Sequence, residues 1–483
     1  HASFEQKVYL TQHIADDVNN CGHNVVQTVY MECGMGYREE GPVPMRCVGE
    51  TVFAQAQARP GMVDGIVGSV NLQLGGEAVD AVLAAHLEAS PNFKGVRTAF
   101  PDDLNAQWQD VWGRERPRYF GPAEEYSWRR SNAFEVVGRE CRGVRDRLGI
   151  ADLTAFAKFA VTGTDGAALL DRLSANRLPT AEGGIRLVHM LTDQGGIECE
   201  MTVTRLAEDR FYLNSALVGR THDEDWLNDH IRAGESVTIT DSTDRLGILA
   251  VTGPAAREVL SPLADADLSN KDFGWLTAQE IEVAGVSCTA LRVSYVGELG
   301  WELHHPIASM PDLYSALISA GEPHGMVHFG AYAMNTMRIE KAYKAWGSEL
   351  TTEITPIEAG LERFLDLERD FLGRDAVLAR QAKGGTDKLG LDTALVYAEI
   401  NVTDSDCRGN EPTYDPADED RPMGVTTSGT WGHTVSRSLC FAYVEPRFAV
   451  PGSTFNVILF GESRQATVLE RAAHDPSNER LRA

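Results

Sequence analysis

The stretch YVGELGWELHHP, at residues 295–306, carries acidic side chains in a pattern that could bind a ligand. Gly297 and Gly300 allow the backbone to bend where a larger residue would clash, so Glu298 and Glu302 can project from a rigid turn. A carboxylate held in this way accepts hydrogen bonds from paired N–H groups, such as those of a pterin or a guanidinium. The alternative is a β-hairpin whose acidic side chains are solvated, and the turn alone does not decide between the two.

A second cluster of charged side chains follows in AMNTMRIEKAYKAWGSELTTEITPIEAGL, residues 333–361. Together the two stretches resemble the folate-binding aminomethyltransferase family, and especially the C-terminal half of dimethylglycine and sarcosine dehydrogenases. The resemblance extends from residue 134 nearly to the C-terminus. It implies that the chain binds tetrahydrofolate and takes part in the transfer of one-carbon units.

The resemblance also implies roles for individual residues. In the family, the turn that matches YVGELGWE supplies an aromatic ring and a carboxylate to the pterin, which correspond here to Tyr295 and Glu302. The arginine of the family's LR-x-E segment matches Arg338, which is implied to contact the substrate or the folate. Glu340 is implied to orient that arginine. The family's catalytic aspartate corresponds to Glu200 in GGIECEMTV.

Glu200 keeps a carboxylate at the catalytic position but extends it by one methylene group. A displacement of about 1 Å can lower a rate about 100-fold, so the substitution could change how well this carboxylate is aimed. Glu198, two residues earlier, is predicted to share the same face of the strand and competes for the role. The alternative for Glu200 is a solvent-facing strand residue without a catalytic function.

The elements that must position these side chains follow no strict β–α alternation after residue 134. Residues 183–216 predict a meander of three strands, with turns at DQGG and AEDR. Short strands near the C-terminus predict a small β-barrel. The sequence therefore predicts an α+β fold, with an aminomethyltransferase folate-binding domain at 134–385 and a C-terminal β-barrel domain at 386–483.

Residues 1–100 have a βαβαβ pattern, in which VVQTVYMEC at 25–33 predicts a buried parallel strand. GHNVVQTVYMEC, VGETVF, GIVGSVNLQLG and FKGVR resemble a fragment of the metal-dependent amidohydrolases, which are TIM barrels. A complete barrel needs about 250 residues, and no His-x-His pair occurs in 1–100. Residues 101–133 are rich in proline, tryptophan and charge, and we predict a linker and lead-in there.

Composition limits the partners of the chain. A formal net charge of −26 over 483 residues argues against nucleic acid and anionic membranes. Eight scattered cysteines without a CxxC pair are typical of reduced thiols, and no apolar run approaches the ~20 residues of a membrane span. We therefore predict a cytoplasmic protein without a metal. No dinucleotide-binding G-x-G-x-x-G follows a predicted strand, so oxidation of an amine would need a separate flavin subunit or an upstream part.

The favoured function is tetrahydrofolate-dependent transfer of an aminomethyl or methyl unit from a small methylated amine. Glu302 is expected to point into the ligand cleft, whereas Glu298 is expected to be solvated at the bend. Three alternatives stay open: a folate-dependent demethylase of a small methylated compound, a non-catalytic folate-binding protein, and a metal-dependent hydrolase based on residues 1–100.

Overall fold

The computed structural model describes residues 15, 25, 27–31, 33, 36–60, 62–70, 76–97, 106–111, 114–382 and 393–483. The chain divides into two compact units, His1–Leu104 and Asn105–Ala483. The predicted domain limits at residues 100 and 385 lie outside the described residues. The limits of the predicted domains therefore stay predictions.

The smaller unit contains a parallel sheet of three strands in the order β1-β2-β3. Its elements are β1 (Val29–Met31), α1 (Val48–Gln57), β2 (Gly65–Ser69), α2 (Gly76–Ala89) and β3 (Phe93–Arg97).

This arrangement confirms the predicted βαβαβ pattern, although the prediction that the first strand is buried is wrong. Val29 is 60% exposed and Met31 is 49% exposed, because β1 is an edge strand with only β2 beside it. Parallel strands joined by helices occur throughout α/β proteins. The TIM-barrel fragment is therefore not confirmed by this pattern.

The larger unit begins with an antiparallel hairpin of β4 (Ala106–Val111) and β5 (Arg114–Phe120), inside the segment that the sequence predicts to be a linker. The hairpin forms because β5 contributes Tyr119 to a hydrophobic core. Tyr119 is fully buried with Val136 and Met337, so the predicted linker is in this part a structural element of the domain.

The elements that follow the hairpin alternate irregularly between helices and strands. Up to residue 382 they are α3 (Ala133–Asp146), β6 (Gly149–Asp152), β7 (Ala157–Thr162), α4 (Gly166–Leu173), β8 (Ile185–Leu191), β9 (Ile197–Ala207), β10 (Arg210–Ser215), α5 (Arg220–Asp229), β11 (Thr238–Asp241), β12 (Leu246–Thr252), α6 (Ala256–Leu260), β13 (Ala278–Val283), β14 (Val286–Leu291), β15 (Gly300–Pro306), α7 (Met310–Gly321), β16 (Val327–His328), α8 (Ala331–Glu340) and α9 (Arg374–Ala382).

These strands build two sheets. The first is antiparallel, in the order β11-β7-β10-β9-β8, and its strands β8, β9 and β10 form the predicted meander. The second has the order β13-β14-β15-β12-β6-β16 and is antiparallel except for the pair β6–β16. The backbone N–H of Ala278 donates a 2.7 Å hydrogen bond to the Gly183 carbonyl, which joins the two sheets at one edge.

Each sheet buries one apolar face against helices. In the first sheet, Phe159, Met201 and Leu213 pack with α4 and α5. In the second sheet, Trp301 and Leu303 pack with α6 and α7. Because side chains alternate along a strand, the neighbouring residues of these strands point to the opposite face of each sheet.

A closed barrel of six antiparallel strands completes the unit, in the order β17-β20-β19-β18-β21-β22. Its strands are β17 (Ala394–Ile400), β18 (Pro412–Asp415), β19 (Asp418–Gly432), β20 (Arg437–Val444), β21 (Thr454–Leu459) and β22 (Glu462–Val468). The barrel and the mixed sheets confirm the predicted α+β fold with a C-terminal β-barrel. Among the described helices, none has the length and apolar character that a membrane crossing requires.

Candidate functional site

The polar face of the first sheet carries Glu200. Its neighbours in β9, Cys199 and Met201, belong to the core shared with α4 and α5, so Glu200 points to the opposite face. His189 of β8 lies opposite Glu200 in the strand register, and its Nε2 lies 2.8 Å from Glu200 Oε2. The imidazole packs edge-on against Phe364, with 5.2 Å between the ring centroids.

The contact with His189 leaves part of this carboxylate available. Glu200 keeps 17% of its side-chain exposure, whereas His189 keeps 1%. In the described part of the chain no second hydrogen bond engages Glu200, so Oε1 is free to meet a ligand. Because Nε2 faces a carboxylate, it is the ring nitrogen that carries the proton. Glu200 is therefore a carboxylate that a buried histidine holds in place and that remains partly exposed, which is the geometry that a proton-transfer group needs.

The polar face of the second sheet carries Glu302 and His304. Glu302 pairs in register with Ala250 on one side and Leu291 on the other, at the centre of the sheet, and is 19% exposed. His304 Nε2 lies 3.5 Å from Glu302 Oε2, longer than a normal hydrogen bond. The expectation that Glu302 points into a ligand cleft stays a prediction.

Tyr212 of β10 connects the two sheets. Its hydroxyl lies 2.8 Å from Nδ1 of His304, which is buried. Burial lowers the pKa of His304, so the ring is neutral near pH 7. Because Nε2 faces the Glu302 carboxylate, which accepts hydrogen bonds, we assign the proton of the neutral ring to Nε2, so that Nδ1 accepts from the Tyr212 hydroxyl. The polar faces of the two sheets thus meet at Tyr212 and His304.

Tyr295 is partly exposed and lies near Glu200. Its hydroxyl donates a 3.2 Å hydrogen bond to the carbonyl oxygen of Lys344, and its ring stacks on that of Tyr343 with 6.3 Å between the ring centroids. Burial raises the pKa of Tyr295, and the negative charges of Glu200 and Glu349 raise it further. The structure therefore brings two of the residues named from the sequence, Tyr295 and Glu200, into one region.

Arg338 lies deeper than the predicted role suggests. It is 3% exposed, and its Nη1 donates a 2.8 Å hydrogen bond to Glu349. Glu349 also accepts a 2.8 Å hydrogen bond from Thr427 of the barrel, so the pair fastens this segment to the barrel. Contact between Arg338 and substrate or folate stays a prediction.

The prediction that Glu340 orients Arg338 is wrong. Glu340 accepts a 2.9 Å hydrogen bond from Arg145 Nη2 and a 2.7 Å bond from the backbone N–H of Thr434. Residues two apart on a helix point in different directions, so Glu340 and Arg338 of α8 cannot face each other. Glu349 takes the place that the sequence assigned to Glu340.

The prediction that Glu298 is solvated is also wrong. Glu298 is 1% exposed, and it accepts hydrogen bonds from Arg145 Nη1 at 2.9 Å and from Arg480 Nε at 2.8 Å. His474 Nε2 lies 3.2 Å from the same carboxylate. The turn achieves this because Gly297 has φ +79°, a conformation that favours glycine and directs the next side chain inward.

Sequence reasoning missed Asn214 of β10. It lies opposite Thr202 in register and is 7% exposed, and both polar atoms of its amide are buried without a hydrogen bond of standard geometry to the described residues. The side chain of Asn214 nevertheless interacts with Tyr212, the residue that contacts His304. The alternation in RFYLNS could have identified it. Phe211 and Leu213 are apolar and point to the core, so Asn214, the residue after Leu213, points to the opposite face of the sheet.

Glu198 contacts a histidine of helix α5, and its competition with Glu200 for the catalytic role stays a prediction. Its Oε1 lies 2.7 Å from His222 Nε2, and Asp223 lies 3.0 Å from His222 Nδ1. Although burial lowers it, the pKa of His222 is raised on balance by these two carboxylates. Cys199, His222 and Asp223 bring potential metal ligands within 4.8 Å of one another, but both ring nitrogens of His222 already face carboxylates.

Comparison with known families identifies the family to which this fold belongs. Residues 99–369 match the GCVT N-terminal domain, and residues 394–475 match the glycine cleavage T-protein C-terminal barrel domain. The chain belongs to the glycine cleavage T-protein family. The predicted resemblance to aminomethyltransferases is thereby confirmed, whereas the resemblance of residues 1–100 to amidohydrolases is not.

Individual proteins agree with this assignment. Mitochondrial dimethylglycine dehydrogenase from Homo sapiens is 38% identical over 379 residues, which are 76% of this chain and 43% of that protein. An aminomethyltransferase from Thermoanaerobacter sp. (strain X514) is 26% identical over 357 residues, which are 73% of this chain and 94% of that enzyme. The present chain therefore covers less than half the length of the dehydrogenase that it matches.

The fold agrees with a solved structure of the family. The crystal structure of the glycine cleavage system aminomethyltransferase T from Bartonella henselae covers 78% of this chain and 96% of that chain, with a TM-score of 0.66 at 22% identity. At this identity the comparison shows the common fold.

Proposed function

We propose that this chain transfers a one-carbon unit from a small methylated amine to tetrahydrofolate. The observation that carries the proposal is the meeting of two polar sheet faces at Tyr212 and His304, with Glu302 on one face and Glu200 on the other. Membership of the glycine cleavage T-protein family supports the same chemistry. Tetrahydrofolate, when bound, supplies the nitrogen atoms that accept the unit.

The residues of the cleft have the donor and acceptor properties that a reduced pterin requires. Glu302 would accept hydrogen bonds from the N–H edge of the ring, and the ring of Tyr295 would supply an apolar surface. Asn214, beside Tyr212, offers an amide NH₂ group as donor and a carbonyl oxygen as acceptor. A polar ligand in the cleft would complete the hydrogen bonding of this amide.

Glu200 would act as the proton-transfer group, with His189 as its positioning residue. His189 holds Oε2 at 2.8 Å, which leaves Oε1 to remove or deliver a proton. Arg338 would act by holding the segment around Glu349 against the barrel. A direct contact between Arg338 and the ligand is proposed only from the family resemblance.

The donor is proposed to be a methylated amine, because one of the relatives is named as a dimethylglycine dehydrogenase. Oxidation of the amine would be supplied by a flavin oxidoreductase, on a separate subunit or another part of the protein. Within the chain we propose a folate-binding domain at 134–385, a barrel domain at 386–483, a lead-in at 101–133 and an independent segment at 1–100.

Calorimetric titration with tetrahydrofolate tests the proposal. Glu302→Gln keeps the size of the side chain but removes its charge, and we expect binding to weaken about 30-fold, or about 2 kcal/mol. Glu200→Gln should bind tetrahydrofolate within about threefold of the unmodified chain, because the pterin edge is held elsewhere. Its transfer of one-carbon units, supplied by a flavin amine oxidase acting on dimethylglycine, should be lost.

The outcomes separate the candidate functions. A chain that does not bind tetrahydrofolate contradicts the proposal. A chain that binds it, responds to Glu302→Gln and transfers nothing from any methylated amine is a non-catalytic folate-binding protein. Equal binding by the unmodified chain and a folded Glu302→Gln variant removes the proposed pterin site.

A further inference from the structure

Two carboxylates beside the first turn of helix α5 share a single histidine. The side chain of Asp223 is 5% exposed and that of Glu198 is 11% exposed. In the described part of the chain, neither forms a salt bridge with an arginine or a lysine. The imidazole of His222 lies between them, with Nε2 2.7 Å from Glu198 Oε1 and Nδ1 3.0 Å from Asp223 Oδ1. One imidazole carries at most one positive charge, so the two buried negative charges are not fully balanced.

A thiol completes this group of side chains. Cys199 is 1% exposed, and its Sγ, a ring nitrogen of His222 and a carboxylate oxygen of Asp223 all lie within 4.8 Å of one another. The register of β8 and β9 shifts at this point, and Glu198 is left without a partner in β8, as the extra residue of a β-bulge. The bulge explains how the consecutive residues 198 and 199 both approach the same imidazole.

The spacing of these atoms suits a tetrahedral zinc ion. With Zn–N and Zn–O distances of about 2.0–2.2 Å, a nitrogen and an oxygen that bind the same ion lie about 3.3 Å apart. His222 Nδ1 and Asp223 Oδ1 are 3.0 Å apart, so the two atoms can share an ion with little movement. A thiolate ligand lies about 3.6 Å from each of them. The sulfur of Cys199, at no more than 4.8 Å, therefore needs to move by about 1 Å at most.

The presence of a carboxylate at each ring nitrogen is compatible with a metal, because the two nitrogens would have different roles. A histidine that binds a metal through one nitrogen commonly donates the N–H of the other to a carboxylate, which orients the ring. Glu198 occupies this place at Nε2, and Nδ1 is then the nitrogen that meets the metal. The carboxylate of Asp223 already lies on the Nδ1 side.

Protonation of the group shows the same excess of negative charge. Burial raises the pKa of the Cys199 thiol, and the negative charges of Asp223 and Glu198 raise it further. Burial lowers the pKa of His222, but the same two carboxylates raise it on balance. Metal ligands bind in their deprotonated forms, so a divalent cation would replace protons that this group now retains.

We propose that Cys199, His222 and Asp223 bind a zinc ion, with Glu198 as the carboxylate that positions the imidazole. A thiolate, an imidazole and a carboxylate together favour zinc over magnesium and calcium, which prefer oxygen ligands. Water would fill the fourth position, because His222 is 40% exposed and opens the site to solvent. Binding releases the thiol proton to solvent, and the ion joins β9 to the first turn of α5. The site is independent of the proposed one-carbon transfer.

Metal titration of the full-length chain, without an affinity tag, freed of metal and kept in a phosphine reductant, tests the site. Cobalt(II) is the spectroscopic probe, because a thiolate ligand gives a charge-transfer band and tetrahedral geometry gives intense visible bands. Zinc then displaces the cobalt, and competition with a chromophoric chelator measures its affinity. The ligand variants are Cys199→Ser, His222→Gln and Asp223→Asn. The matched controls are Cys288→Ser, at another buried thiol, and His230→Gln, directly after the same helix.

We expect one cobalt ion per chain, with the thiolate band, and its displacement by one equivalent of zinc. Each ligand variant should weaken zinc binding at least about 100-fold, and both controls should match the unmodified chain. Glu198→Gln should keep the cobalt spectrum and weaken zinc binding about 10-fold to 100-fold, as expected of a positioning residue. The zinc affinity of the unmodified chain should rise about tenfold per pH unit near pH 7, because the thiol proton is released.

Zinc binding weaker than about 10 μM, or a cobalt spectrum without the thiolate band, would refute the site. Unchanged zinc affinity in the ligand variants would show an adventitious ion on other side chains and would refute it as well. If circular dichroism shows that Cys199→Ser does not fold, His222→Gln decides the question, because its side chain is 40% exposed and its replacement leaves the core intact. None of these outcomes depends on tetrahydrofolate, so the proposed function is tested separately.

Discussion

Glu298→Gln should destabilise the fold, whereas Glu302→Gln, four residues away in the same motif, should not. Both substitutions keep the shape of the side chain and remove one negative charge. Glu298 is 1% exposed and surrounded by positively charged donors, whereas Glu302 is 19% exposed and, among the described residues, faces a neutral histidine at 3.5 Å. The same chemical change therefore meets two different environments.

The expected cost follows from the partners of Glu298. Arg145, which is 2% exposed, would lose one of its two carboxylates and keep Glu340 at 2.9 Å. Arg480 and His474 are 39% and 12% exposed, so water can replace part of what they lose. Breaking a buried ion pair costs about 3–5 kcal/mol, and because Arg145 keeps one partner we expect about 3 kcal/mol. For Glu302→Gln we expect less than about 1 kcal/mol.

Urea unfolding measures both effects, with tryptophan fluorescence and circular dichroism as independent probes. The free energy of unfolding of Glu298→Gln should fall, and its tetrahydrofolate affinity at low temperature should stay close to that of the unmodified chain. Glu302→Gln should show the reverse. A loss below about 1 kcal/mol for Glu298→Gln would refute the conclusion that this network stabilises the fold, as would an equal loss for both variants.

Three further predictions follow from contacts of the larger unit. Tyr212→Phe removes the hydroxyl that fixes the His304 tautomer, so tetrahydrofolate binding through Glu302 should weaken about threefold to tenfold in calorimetry; unchanged affinity would contradict the role. Burial and neighbouring arginines lower the pKa of His433 from 6.5 to about 4, so the free energy of unfolding should fall as pH drops from 6.5 to 4. His433→Gln should show a smaller fall in urea titrations at pH 7 and 5, and an equal fall would show that other groups dominate. Residues 105–483, expressed alone, should fold and bind tetrahydrofolate, as measured by circular dichroism and calorimetry.

Local patterns predicted the parts of the structure that local physics determines. The turns and alternation of residues 183–216 predicted the meander, and the same alternation places Asn214 on the face of the sheet opposite the apolar core. The burial of Glu298 was not predictable in this way. Its partners Arg145 and Arg480 lie 153 and 182 residues away in the sequence. A local turn motif does not indicate contacts with residues so distant in the sequence.

The same limit explains the error at Glu340. In a helix, the sequence separation of two residues determines whether they share a face. A separation of two residues places Arg338 and Glu340 on different faces of α8. The resemblance led to a direct pair, although helix geometry argued against it. Glu349, the actual partner, lies in a loop whose position depends on the barrel, through its hydrogen bond with Thr427.

The longer carboxylate at residue 200 has a physical explanation in the strand register. His189 and Glu200 are directly opposite across an antiparallel pair, where side chains stand side by side on one face of the sheet. The added methylene of glutamate lets the carboxylate reach Nε2 at 2.8 Å, and an aspartate at this position would withdraw it from that contact. The glutamate and the histidine therefore form a matched pair. Because one oxygen is held by a buried ring and the other is free, the pair can aim a carboxylate for proton transfer in spite of its greater length.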